Sequence, residues 1–332
     1  MLSWFVLLGG ALFLIPIPYF IFGPGATVDL NRAIIVPHHS PPPSHFYLTD
    51  VDLLPGRPAF YITGKMLPGF EIVRRRDLVP PNMSDRDLDN ELVDAMGQSQ
   101  TNAQIVAERA AGLPVKVSSS FVVIRTLPRS PAARCFQTGD KIVKVNGQSL
   151  HDPGQLSAVA ASKPPGAKFT MTLLRKRKSR VVVCSTFRYK GKARFGLTGT
   201  FQTEAYSLPI HVQYRLPNIN GSSAGLMFAL QIYRTIEGVD LSSGRDVAGT
   251  GVLNTEGKVF PIEGAREKVR AAIKAHAAIF LVPTQNYADI RNTRGITIIP
   301  VTSFQEALQS LRRSTVGAQT KVTFDRRYAD FL

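Results

Sequence analysis

Between Met1 and Asp29 the chain carries no Asp, Glu, Lys or Arg, and Leu2 to Phe22 is an almost unbroken apolar stretch. At ~1.5 Å of rise per helical residue such a stretch spans about 30 Å, the thickness of a bilayer core. It predicts an N-terminal transmembrane helix over residues 1–22, with membrane lipids as its partner. Pro16 and Pro18 would kink its far end, which a membrane helix tolerates better than a soluble one. A cleaved signal peptide is the alternative: Gly23-Pro24-Gly25-Ala26 supplies small residues, but a basic n-region is missing and the run exceeds ~15 residues. Flanking charge says little about orientation, because Arg32 is the sole nearby Lys or Arg.

The 332 residues suffice for about two domains of ~150 residues each. Hydrophobic residues at 44% against 19% charged exclude a disordered chain and allow sizeable cores. Lys and Arg number 40 and Asp and Glu 24, and the resulting +16 turns attention to anionic partners. The basic runs are Arg74-Arg75-Arg76 and Arg175-Lys176-Arg177-Lys178-Ser179-Arg180. No nucleic-acid-binding motif accompanies them, so no nucleic-acid partner is expected; the second run reads as a solvated hairpin tip, with anionic lipid contact as the other reading. The only cysteines, Cys135 and Cys184, exclude a disulfide-dense scaffold and a four-cysteine zinc site, and leave either one bridge or two buried thiols. The pattern implies no metal and no cofactor.

Residues 23–112 read as a Pro- and Gly-rich linker, ending in Ser40-Pro41-Pro42-Pro43, followed by a mixed strand and helix region. Short β-prone runs such as Phe60-Tyr61-Ile62-Thr63 predict strands. Ser84 and Asp87 form a capping pair, Leu88, Leu92, Val93 and Met96 follow at helical spacing, and the pattern stops near Gly112. In residues 113–190 strands are predicted around Val117, Phe121–Ile124 and Lys141–Val145, the last closed by Asn146-Gly147, with a Pro-led helical turn at Ser130-Pro131-Ala132-Ala133. That order, with Gly139-Asp140 after the turn and Phe169–Leu173 after Lys163-Pro164-Pro165-Gly166, resembles a PDZ domain. The resemblance implies a groove for an extended peptide, in which an exposed strand edge gives affinity and side-chain pockets give selectivity. A small β-barrel with structural duties is the other reading.

Residues 191–312 read as a separate α/β unit. A strand near His211–Tyr214 leads into Gly221-Ser222-Ser223-Ala224-Gly225 and an apolar helix through Leu226, Met227, Leu230 and Tyr233. A strand at Val247–Leu253, a helix at Ala265–Ala275, strands at Ile279–Val282 and Thr297–Ile299 and a closing helix with Ser303 and Glu306 as its capping box complete it. Residues 313–332 are left as an unassigned tail.

A serine where a loop turns into a helix N-terminus sits among backbone N–H groups able to hold a developing negative oxygen. Ser223 meets that description, but a hydroxyl is a weak nucleophile until a base takes its proton. The Gly-x-Ser-x-Gly elbow of α/β-hydrolases would need a downstream histidine. The one available, His276, falls where a helix is ending and reads as a C-terminal helix charge. Lysine remains. The run Gly257-Lys258-Val259-Phe260-Pro261-Ile262-Glu263-Gly264-Ala265-Arg266-Glu267-Lys268-Val269 resembles the Lon-protease segment in which Pro-Ile-Gly-Gly precedes a Lys-Glu-Lys cluster. In that family the second lysine pairs with the serine of Gly-Pro-Ser-Ala-Gly, which places Ser223 and Lys268 in a catalytic dyad. Gly249-Thr250-Gly251 matches a third motif, whose threonine lies beside the lysine. Thr250, Gly221 and Ser222 are thereby supporting residues. The chain departs from the family at Ser222 for proline, Asn220 for an acidic residue, Glu263 for the first glycine and Arg266 for the first lysine; these bear on the oxyanion loop and leave the dyad in place.

As a whole the chain resembles the bacterial membrane-anchored PDZ and Lon-like serine proteases. The resemblance implies a multidomain protein: transmembrane helix, PDZ-like β-rich domain, and α/β Lon-type proteolytic domain, the last two outside the cytoplasm. It implies a serine endopeptidase acting on unfolded or flexible protein and peptide substrates. Two alternatives stay open, a PDZ-containing carboxy-terminal processing protease and a catalytically inactive, membrane-tethered peptide-binding scaffold. For Lys268 to work as a base near neutrality its pKa must fall by about 2 to 3 from ~10.4, which burial has to supply. No Gly-x-x-x-x-Gly-Lys-Ser/Thr occurs in these residues, so cleavage is expected to be ATP-independent.

Overall fold

The computed structural model describes residues 12–313 apart from residues 68, 80–83, 151–152 and 218. The chain divides into two units: Met1–Leu113 with Ile210–Leu332, and Pro114–Pro209, inserted between those halves. Strands β1 (Tyr19–Asp29), β2 (Phe46–Pro55), β3 (Glu71–Arg74), β4 (Val247–Gly249), β5 (Ile279–Pro283) and β6 (Thr297–Val301) form one sheet of the first unit, in the order β6-β5-β4-β2-β1-β3. β2, β4, β5 and β6 are parallel, whereas β1 runs antiparallel to both β2 and β3.

Successive side chains of a strand point to opposite faces, so the continuous apolar run of β5 serves two cores. Ile279 and Leu281 join the core built with α1 (Asp85–Ala110) and α2 (Gly225–Glu237), while Phe280 and Val282 join the one built with α3 (Ala265–Lys274). The Ser84 and Asp87 box caps α1 as its spacing predicts. Gly225 lets α1 and α2 approach closely, since a Cβ there would lie 3.0 Å from Ser99 Oγ. At the closing helix, residues 304–313, Ser303 Oγ accepts from Glu306 N, but the Glu306 carboxylate turns to the Thr302 N–H and hydroxyl instead of completing the box.

The transmembrane helix expected over residues 1–22 is not found among the described residues. No helix among the described residues is long and apolar enough to cross a membrane. Residues 1–11 lie outside the described residues, and from Tyr19 the segment is strand β1. Its apolar character has another cause: Phe20, Ile21 and Phe22 are buried in a strand paired on both sides. A buried strand and a buried helix present the same uninterrupted apolar run, and periodicity alone does not separate them. The β-prone Phe60–Thr63 likewise lies inside a helix, Pro58–Met66, with its proline in the first turn. The tail at residues 314–332 lies outside the described residues.

The inserted unit is a sheet with Leu197–Ser207 at one edge, followed by Lys116–Thr126, Lys141–Val145, Lys168–Arg175 and Lys178–Ser185. Leu197–Ser207 thus pairs inside this unit, and residues 23–112 lie in the other. Phe121, Ile142, Phe169, Met171 and Leu156 fill its core. The basic run from Arg175 forms a hairpin tip, with Lys176 and Arg177 both left-handed (φ 49° and 64°), the conformation of a two-residue turn matched to strand twist. Both cysteines are free; Cys184 is buried against Cys135, and burial raises its thiol pKa.

Asp140 is 1% exposed and accepts from Arg175 Nε and Nη2 at 2.8 and 2.6 Å, and from the Gln137 N–H. These contacts hold its carboxyl below the usual range against the cost of burial. Arg175→Ala strands a buried carboxylate and is expected to destabilise this unit by ~3 kcal/mol, read as a lowered denaturation midpoint by near-UV circular dichroism; an unchanged midpoint refutes it.

Candidate active site

Ser223 stands two residues before α2, in a loop bent by Gly221, whose φ of 97° suits a residue without Cβ. α1 ties that loop down: Gly221 N donates to Leu92 O at 2.8 Å and Ser99 Oγ to Ser222 O at 3.1 Å. On the other side the Ser223 carbonyl accepts from Gly251 N at 2.7 Å and from Thr250 Oγ1 at 3.1 Å, so the segment after β4 fixes the serine backbone. Ser223 is half-buried.

Lys268 lies in α3, one turn beyond the left-handed Gly264 that begins the helix. The preceding loop is pinned by Asn286, which accepts from Ile262 N and donates to Ile262 O, both at 2.9 Å. The lysine is 2% exposed, and its Nζ lies 2.6 Å from Ser223 Oγ and 3.3 Å from Thr250 Oγ1. Burial brings its pKa down to about 8. The Thr250 hydroxyl already donates to the Ser223 carbonyl, so toward Lys268 it can only accept. A neutral lysine therefore directs one amine N–H to Thr250, with its second N–H and its lone pair left for other partners.

These groups open on a cleft of about 350 Å³, with Phe20, Phe22, Leu92 and Val252 among its apolar walls and Asp50 and Asn220 among its polar ones. Of the residues singled out from sequence, the structure brings together Ser223, Lys268, Thr250, Gly221 and Ser222. His276 is exposed beyond the end of α3 and takes no part. Sequence reasoning missed Asn286 and Asp50. A lone amide and a lone carboxylate have no motif around them, and their partners are distant in the chain. Among the described residues no group of His, Cys, Asp or Glu is arranged to hold a metal.

Residues 174–312 match the Lon protease (S16) C-terminal proteolytic domain and residues 122–175 match a PDZ domain. A Lon protease of Neorickettsia sennetsu is 32% identical over 120 residues, covering 35% of this chain and 14% of the relative. A Lon protease of Azospirillum brasilense is 27% identical over 220 residues, covering 62% of this chain and 26% of the relative. The chain thus spans only a fraction of the length of these relatives. Among solved structures, the PDZ domain of an SdrC-like protein from Listeria monocytogenes aligns at 20% identity with a TM-score of 0.23, over 24% of this chain and 85% of that one, a likeness too slight to argue from. On the two domain matches, the chain carries a Lon-type C-terminal proteolytic domain, that of a serine peptidase, together with a PDZ domain.

Proposed function

We propose that this chain is an ATP-independent serine endopeptidase in which Ser223 is the nucleophile, Lys268 its general base, and the PDZ unit the selector of unfolded or flexible substrates. The observation that carries the reading is the 2.6 Å approach of a fully buried lysine amine to a serine hydroxyl at the floor of an open cleft. Ser223 Oγ attacks the scissile carbonyl as its proton passes to Lys268 Nζ. The ammonium returns that proton to the leaving amine, and water then releases the acyl group from Ser223. The negative oxygen forms beside the backbone N–H groups at the start of α2. For substrate capture, the edge strand Leu197–Ser207 adjoins a cleft of about 330 Å³ lined by Leu156 and Ala160 and by Phe195-Gly196-Leu197.

The purified chain is expected to cleave an unfolded protein without nucleotide and to be labelled at Ser223 by a fluorophosphonate. Absence of labelling refutes the active serine, and ATP-stimulated degradation refutes independence from nucleotide. The base works uncharged, so kcat/KM is expected to rise with pH through about 8. Below that value the ammonium cannot accept the serine proton. A rate unchanged down to about pH 6, far on the protonated side, refutes Lys268 as the base.

A further inference from the structure

Opposite a single residue of β2, β1 inserts two. Pro24 faces Val51 and Thr27 faces Thr49, so Gly25 and Ala26 together oppose Asp50. Such a bulge re-aims the side chain beside it. Gly25 is what permits it here: an added Cβ would lie 2.7 Å from the backbone C and O of Asp50 and 2.8 Å from Val51 N. Asp50 is half-buried and lines the same cleft as Ser223 and Lys268.

We propose that Asp50 is a positioning residue for the proposed dyad, its carboxylate holding the ammonium that Lys268 becomes when it takes the serine proton. The inference rests on the reading of Ser223 and Lys268 given above. The proton moves from Ser223 Oγ to Lys268 Nζ and later to the leaving amine; Asp50 supplies negative charge and takes no proton. A buried ammonium without a counter-charge is costly, and a carboxylate lining the same cleft offsets that cost. Burial is the largest influence on each group, raising the Asp50 pKa and lowering that of Lys268, and against it each favours the charged form of the other. Of the other charges near them, Asp52, on the same strand, opposes ionisation of Asp50, and Glu263 lines the cleft from the loop before α3.

The test compares full-length wild type, Asp50→Asn, Asp50→Ser and Asp50→Glu. In Asp50→Asn the acid limb of kcat/KM is expected to move to lower pH, because the removed carboxylate favoured the ammonium. Its kcat is expected to fall about tenfold, the equivalent of one pKa unit of lost charge stabilisation, with KM little changed, and Asp50→Glu to recover part of the loss. In parallel, NMR of side-chain-labelled lysine, assigned with Lys268→Met, reads the Lys268 titration directly. Asp50→Ser is read in the same way if Asp50→Asn does not fold. A Lys268 titration at the wild-type pH in a folded Asp50 variant overturns the inference. If wild type cleaves nothing while that titration still moves down in the variant, the peptidase reading falls and the coupling of Asp50 to Lys268 stands.

Discussion

Lys268→Met is expected to lower kcat by about 10³-fold while leaving the protein at least as stable as wild type. Methionine has the length of the lysine stem and no charge, so it fills the volume between α3 and the serine loop with little repacking. The position is 2% exposed, and the native ammonium is disfavoured there, as its lowered pKa records. Removing it relieves that cost. Stability and rate then move in opposite directions, a pattern a merely structural lysine does not produce. Ser223→Ala removes the proposed nucleophilic oxygen and is expected to cost on the order of 10⁴ or more. Cleavage of a flexible peptide, followed with a thermal melt of each variant, decides the matter. Wild-type activity in either variant removes that residue from the mechanism.

Gly25→Ala is expected to destabilise the first unit by about 2–3 kcal/mol, lowering its melting temperature by roughly 5–10 °C, and to depress activity in the fraction that stays folded. The atoms meeting the new methyl are backbone atoms of Asp50 and Val51, held in register by the rest of the β1–β2 ladder. They can yield only by opening that ladder where it passes the cleft. Gly97→Ala is the matched control: it lies inside α1 with nothing within 4 Å of the added carbon. There the substitution is expected to stabilise by ~0.5–1 kcal/mol through helix propensity. Equal melting temperatures for Gly25→Ala and wild type refute the steric account.

Ser223 was legible because a glycine-bounded loop running into an apolar helix is written locally, at residues 221–225, and Lys268 through the resemblance of residues 257–269 to the Lon-protease segment. Asp50 was not legible. A carboxylate in a strand reads as solvent-facing until the pairing register shows two residues opposite it, and register is a relation between segments. Asn286 escaped for the same reason, since its amide replaces a strand partner for Ile262. The strand character of Tyr19–Phe22, the end of the N-terminal apolar run, is not legible locally because the two strands that pair with β1 lie later in the chain. The same distance hid the true company of residues 46–110, whose β2 and α1 supply walls of a cleft completed after residue 219.

β2 pairs with β4, a strand that follows the whole inserted unit. During synthesis β2 must therefore wait with one edge open while the ribosome delivers everything between. Contacts this far apart in sequence form late and leave a sheet edge vulnerable to misassembly. A truncated product that stops inside the insertion would own an aspartate and half a cleft but neither Ser223 nor Lys268, so under the proposed mechanism premature termination yields no stray hydrolytic fragment.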